Sequence, residues 1–152
     1  MSRSRLAAAL AGRRRIAVDT SVFIYQIESE AKYADLASAV FERLDAGGVH
    51  SATSTVTMLE LLVQPYRRRD LDLVNRFFAL LSTYPRLEWI APSLEIADCA
   101  ARLRAEHTLR TPDAIQAATA LVWQADVFVS NDAAFRRVSG LDLLLLDEFL
   151  PD

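Results

Sequence analysis

Four carboxylates carry the chemical interest of this sequence: Asp19, Glu60, Asp113 and Asp132. In IAVDTSVFIY, three apolar residues run straight into Asp19, and Thr20 and Ser21 follow it. In VFVSNDAAF, an apolar run again leads through a hydroxyl and an amide, Ser130 and Asn131, into Asp132. Taken singly, either acid is most simply a helix N-cap, because Asp accepts well from the free amides of a first turn. Asp113 lies in TPDAIQAATAL, where Thr111 is a candidate N-cap, Pro112 suits the first helical position and Asp113 complements the helix dipole. Glu60 resists such an explanation. It is the only charge in VTMLELLVQP, with Val56, Leu59 and Val63 on its own helical face and Met58, Leu61 and Leu62 covering most of the remainder. Such a pattern predicts a buried helix. A Glu inside one needs a partner or a cation; the alternative is an exposed Glu on a partly wet helix.

Gathered into one cleft, four carboxylates repel, and some stay protonated unless a cation joins them. Hard divalent ions with a taste for oxygen, Mg²⁺ or Mn²⁺, fit that need. They polarise a phosphate and lower the pKa of a bound water for in-line attack on phosphorus. The hydroxyls of Thr20, Ser21 and Ser130 would orient the carboxylates. Neutralising the four acids moves the formal net charge from −3 to +1, from repelling phosphate to attracting it.

The elements that must position these acids alternate. Strands are expected at 15–18, 49–53, 87–91, 126–130 and 141–146. Helices are expected at 21–29, 33–46 (stopped by Gly47 and Gly48), 55–64 (stopped by Pro65), 68–83, 93–107 and 112–125, with a helical turn at 132–138. Alternation of this kind predicts a three-layer α/β/α sandwich around a mostly parallel sheet, in which ligands collect at the carboxyl ends of the strands. The strands before Asp19 and Asp132 are apolar without alternation, as strands covered on both faces should be.

At 152 residues with 52% hydrophobic and 24% charged residues, the chain reads as one folded domain, 15–152, behind an Arg-rich extension, 1–14. That leader, MSRSRLAAALAGRRR, imitates a targeting peptide only loosely, and a short surface helix or a ragged terminus is the simpler expectation. No apolar run is long enough to span a bilayer. The single cysteine, Cys99, excludes an internal disulfide and a Cys-rich zinc site, and leaves the cytoplasm as the default compartment. Two histidines, His50 and His107, are too few and too isolated for a His-based metal site. Arginines cluster at 13–15 and 67–69. A solvated face is the plainer reading for 67–69, while Arg136 and Arg137 are candidates for phosphate contact.

These stretches together resemble the PIN-domain ribonucleases, and within them the VapC-type toxins of bacterial and archaeal toxin–antitoxin pairs. The resemblance runs from residue 16 to about 147. AVDTSVFIY is similar to the family's opening strand, which puts the first acid at Asp19. The isolated acid of TMLELLVQP falls on Glu60, that of RTPDAIQAATAL on Asp113, and that of VFVSNDAAFRRV on Asp132, with Ser130 and Asn131 beside it. The resemblance implies Mg²⁺- or Mn²⁺-dependent cleavage of RNA, frequently a homodimer, and an antitoxin protein that wraps the toxin and blocks its site. Many relatives carry a further acid two residues after the fourth; Ala134 stands there. Other α/β classes fit worse: a dehalogenase-type phosphatase wants an Asp where Ser21 stands, and a receiver domain wants a late lysine where Lys32 is the sole lysine. Within the family, an RNA-processing nuclease and a catalytically silent binding module remain the alternatives.

Overall fold

The structure is a computed structural model, and it describes residues 1–151. Its elements run α1 (Ser2–Leu10), β1 (Arg15–Val18), α2 (Thr20–Glu28), α3 (Ala34–Asp45), β2 (His50–Ser54), α4 (Thr55–Arg67), α5 (Leu71–Ser82), β3 (Leu87–Ile90), α6 (Leu94–His107), α7 (Thr111–Val122), β4 (Val127–Ser130) and β5 (Leu143–Leu145). Two 3₁₀ turns, Ala133–Arg137 and Leu146–Phe149, flank β5. Among the described residues no helix is long and apolar enough to cross a membrane.

All five strands are parallel, in the order β3-β2-β1-β4-β5. The chain builds outward from β1 in one direction and returns to start β4 on the other side, so the β1/β4 seam is the topological switch point where such sheets open a crevice. Register there is tight: Ala17 pairs with Phe128 and Val18 with Val129. The Asp19 amide then extends the ladder, donating to the Val129 carbonyl at 2.9 Å.

Strand alternation divides the interior into two cores. Ile16, Val18, Val127 and Val129 face a core built with α1, α2 and α3 that includes Phe23, Val40 and Leu44. Ala17 and Phe128 face the other, built with α6 and α7 around Leu103, Ala114, Ala117 and Phe135. This is the three-layer arrangement expected from the alternating pattern, and each strand of the seam is buried on both faces.

The leader is not ragged. Residues 2–10 form α1, and its Leu6 and Leu10, one helical turn apart, are wholly buried. Arg3 pairs with Asp35 and Glu42 on α3. Arg43 donates to the Leu10 and Arg13 carbonyls, at 3.3 and 2.8 Å, which satisfies acceptors left free at the end of the helix. Arg13 and Arg15 are likewise engaged away from the acids. Arg13 pairs with Asp142, and the Arg15 guanidinium stacks on Trp123 at 3.9 Å.

Two local expectations are corrected. Pro65 does not stop α4, which continues to Arg67; the proline is buried in the last turn and leaves the Leu61 carbonyl without its helical donor. Nor is α4 a buried helix. Only Thr57, Leu61 and Pro65 face inward, Glu60 is half-buried, and Leu59 is 62% exposed.

Candidate active site

Asp132 follows β4, Glu60 lies on α4 after β2, and Asp113 lies in the first turn of α7. Asp19 follows β1 directly. It occupies the N-cap position of α2 but makes no side-chain cap bond. Its Oδ2 instead accepts from Ser130 Oγ at 2.8 Å and Ser21 Oγ at 3.0 Å. At 6% exposure, burial pushes its carboxyl from 3.8 up to about 6; the two serine donors oppose that rise and the Glu60 charge adds to it. A simple cap would not be buried at such a cost.

Asp132 does what its sequence setting suggested, accepting from the Ala134 amide at 2.9 Å to start the 3₁₀ turn. It is tied to Asp19 through Ser130, whose Oγ also accepts from the Asp132 amide at 3.0 Å. Asn131 touches none of the acids with its side chain. Its amide donates to Ser21 Oγ at 3.1 Å, and its carboxamide bridges the Tyr25 hydroxyl and the Asp147 amide. It therefore acts on Asp19 through Ser21.

Thr111 is not the N-cap of α7. That position belongs to Arg110, whose backbone is extended, with Thr111 and Pro112 opening the helix and Asp113 in its first turn. Pro112 favours an extended residue two places before it only indirectly, so the sequence left the boundary one residue loose. Asp113 is 8% exposed and turned toward Arg110, whose Nε donates to its Oδ2 at 3.1 Å.

Glu60 is held by Thr20, which donates to its Oε1 at 2.9 Å. Behind that contact lies a buried polar chain. Gln116 Nε2 donates to Thr20 Oγ1 at 3.1 Å and to Thr57 Oγ1 at 2.9 Å. Thr57 and Thr53 share a hydrogen bond of 2.7 Å, and Thr53 Oγ1 donates to the Val18 carbonyl at 2.7 Å. The chain links β1, β2, α2, α4 and α7, the elements that carry Asp19, Glu60 and Asp113. Thr53, Thr57 and Gln116 escaped the sequence reading. Gln116 is three residues past Asp113, on the same face of an otherwise apolar stretch, and that spacing was the available signal. Replacing Gln116 with Leu should leave Thr20 and Thr57 without their shared donor and free Glu60. The expected result is a destabilisation of about 1–3 kcal/mol by urea denaturation; no change in the midpoint would remove the chain's role.

The Glu60 charge acts on Asp19, and Asp113, Asp132 and Glu60 all act on Arg110, but the acids do not close around a point. Among the described residues, no three acidic, histidine or cysteine side chains form a ready coordination set. The donors fit a hard divalent cation in kind: all are oxygens, and Asp19 carries a charge that its burial disfavours. Arg110 holds the Asp113 carboxylate that such an ion would share. Of the candidate phosphate contacts, Arg136 is paired with Glu148 and Arg137 is exposed.

A family model described as PIN domain matches residues 16–141. No curated protein matches by sequence. Among solved structures, the chain is similar to a toxin–antitoxin complex from Klebsiella pneumoniae, with TM-score 0.67 and 23% identity over 86% of this chain and 97% of that one. It is also similar to DNA-bound VapBC from Salmonella typhimurium, with TM-score 0.65 and 21% identity over 88% and 98%. A third likeness is to VapBC2 from Rickettsia felis bound to a promoter DNA fragment, with TM-score 0.62 and 19% identity over 86% and 98%. At these identities the likeness is one of fold.

Proposed function

The chain belongs to the PIN-domain family, and from that premise we propose that it is a metal-dependent ribonuclease acting as the toxin of a VapBC-type pair. The observation that carries the nuclease reading is Asp19: a carboxyl buried at the sheet's switch point, held by two serines and pushed up to about 6 by that burial. Such a group gains most from a cation. Asp19, Asp113 and Asp132 would hold Mg²⁺ or Mn²⁺, directly or through water, with Glu60 completing the set. When bound, the ion polarises the scissile phosphate and makes water a better nucleophile.

The chain's own residues do the rest. Ser21 and Ser130 both donate to Oδ2 and fix the direction of Asp19. Thr20 and Gln116 keep Glu60 at the mouth, where its carboxylate can take a proton from the attacking water. Substrate is the phosphodiester backbone of single-stranded or loop RNA, and the products are a 5′-phosphate and a 3′-hydroxyl.

The toxin reading is supported by the solved structures of similar fold, which are toxin–antitoxin complexes. It is supported also by two adjoining hollows that meet at Ile27. One runs from Glu60 and Arg68 past Leu73 and Phe77, and the other continues to Phe23 and Tyr84. A largely apolar trough leading away from an acid of the site suits an antitoxin segment that covers the mouth. The protein would act in the cytoplasm, where its RNA and its antitoxin are made.

The test is cleavage of total RNA by purified protein in Mg²⁺ or Mn²⁺, with the fragment ends sequenced. Cleavage should stop in EDTA, and fragments should carry 5′-phosphates. Full activity in EDTA would overturn the mechanism.

A further inference from the structure

Among the described residues, Arg110 is the one cation paired directly with an acid of the site. Its Nε donates to Asp113 Oδ2 at 3.1 Å, and its Nη2 reaches Oδ1 at 3.5 Å. Asp113 chiefly, and Asp132 and Glu60 at longer range, all favour its charge. Three of the four carboxylates therefore act on a single guanidinium. Yet that guanidinium is loosely held. The Arg110 side chain is 74% exposed, while the Asp113 carboxylate it meets is 11% exposed. It makes no side-chain cap for α7, and among the described residues Asp113 is the only group recorded as bonding it. An ion pair so open to water contributes only about 0.2–1 kcal/mol. A divalent ion at the same carboxylate would carry twice the charge of the guanidinium and so compete for it.

We propose that Arg110 is the site's own counter-cation, holding Asp113 while no metal ion is bound and turning, once an ion takes that carboxylate, to a phosphate oxygen of the RNA strand. The inference rests on the ribonuclease reading above. It gives the Asp113 carboxylate, nearly buried beside other acids, a positive partner while no ion is bound. It also makes the same side chain useful in both states. A guanidinium displaced from Asp113 stays tethered at the first turn of α7, at the edge of the mouth, and its planar fork suits two phosphate oxygens. Arg110 is thus a substrate-positioning residue that competes with the metal ion.

The two roles predict opposite effects from one substitution. Arg110→Gln should bind Mn²⁺ more tightly than wild type, by about 2- to 5-fold, measured by titration calorimetry without RNA. The same variant should cleave RNA with a raised KM. Its KM should also depend less on salt, the log–log slope falling by about 0.7, one phosphate contact to a single strand. Arg110→Lys should recover part of the KM and keep the salt slope, since it retains the charge. Thermal melts confirm that both variants fold. Unchanged or weaker Mn²⁺ binding in Arg110→Gln, or an unchanged KM and salt slope, overturns the proposal while wild-type cleavage leaves the ribonuclease reading standing. Wild-type protein that neither binds Mn²⁺ nor cleaves RNA overturns that reading, and this one with it.

Discussion

Asp19→Asn should be inactive on RNA and, without metal, more stable than wild type at neutral pH. The loss of activity follows from removing the charge that the ion needs most; metal stabilisation of a phosphoryl transition state is worth several kcal/mol, so a drop on the order of 10³-fold is expected. The gain in stability follows from burial. In the folded metal-free protein the Asp19 carboxyl is raised from 3.8 to about 6, with desolvation as the first cause. The folded state therefore holds this proton more tightly than the unfolded chain. As pH rises through roughly 4 to 6, the unfolded chain releases the proton first and stability falls; below and above that window the dependence on this group is flat. A shift of that size corresponds to about 3 kcal/mol at neutral pH. Asn has almost the same volume, still accepts from Ser130 and Ser21, and carries no charge to bury. It should flatten the pH dependence and raise the melting temperature by about 6–12 °C in EDTA at pH 7. Added Mn²⁺ should raise the wild-type midpoint and leave that of the variant nearly fixed. A variant that still cuts RNA, or that melts below wild type in EDTA at pH 7, would contradict the assignment of Asp19.

How much of this was visible in the chain depends on the length scale of the signal. β1 and β4 declared themselves because both faces of each strand are covered, leaving no polar alternation to confuse them. The acids after them were then placed by topology alone. Helix starts with a local chemical mark, such as Ser93 accepting from the Ile96 amide, could also be read from the residues. What escaped depends on how distant elements face one another. Gln116 and Thr57 lie far apart in the chain, and nothing in either stretch says that they meet across the sheet end. Glu60 was expected inside because its helix is apolar nearly all round. The structure instead leaves Leu59 at the surface, since α2, α5, α7 and the sheet end cover only part of α4. Arg110 does not stand out in the sequence, because its importance lies in a contact with Asp113 that the unfolded chain does not display.

The leader gives the second large prediction, and it separates apolar burial from charge. Five arginines dominate residues 1–15 and concealed the spacing of Leu6 and Leu10, which places both on one face of α1. Both side chains are fully buried in the same core as Phe23, Val40 and Val127. Leu6→Ala and Leu10→Ala should each cost about 2–5 kcal/mol, as for other buried leucines truncated in a packed core. The pair should cost less than the sum, since the two share a cavity and neighbours. Arg3→Ala removes the ion pairs to Asp35 and Glu42, but those partners are exposed and the loss should be small beside that of either leucine. Against a domain stability of about 5–15 kcal/mol, either leucine alone takes a large fraction. Urea denaturation of the three variants decides the matter. Leucine variants no weaker than Arg3→Ala would mean that α1 merely rests on α3. The expected order, with Mn²⁺ affinity unchanged in whatever fraction stays folded, would make the leader a part of the core that supports the site only by keeping β1 and α3 in place.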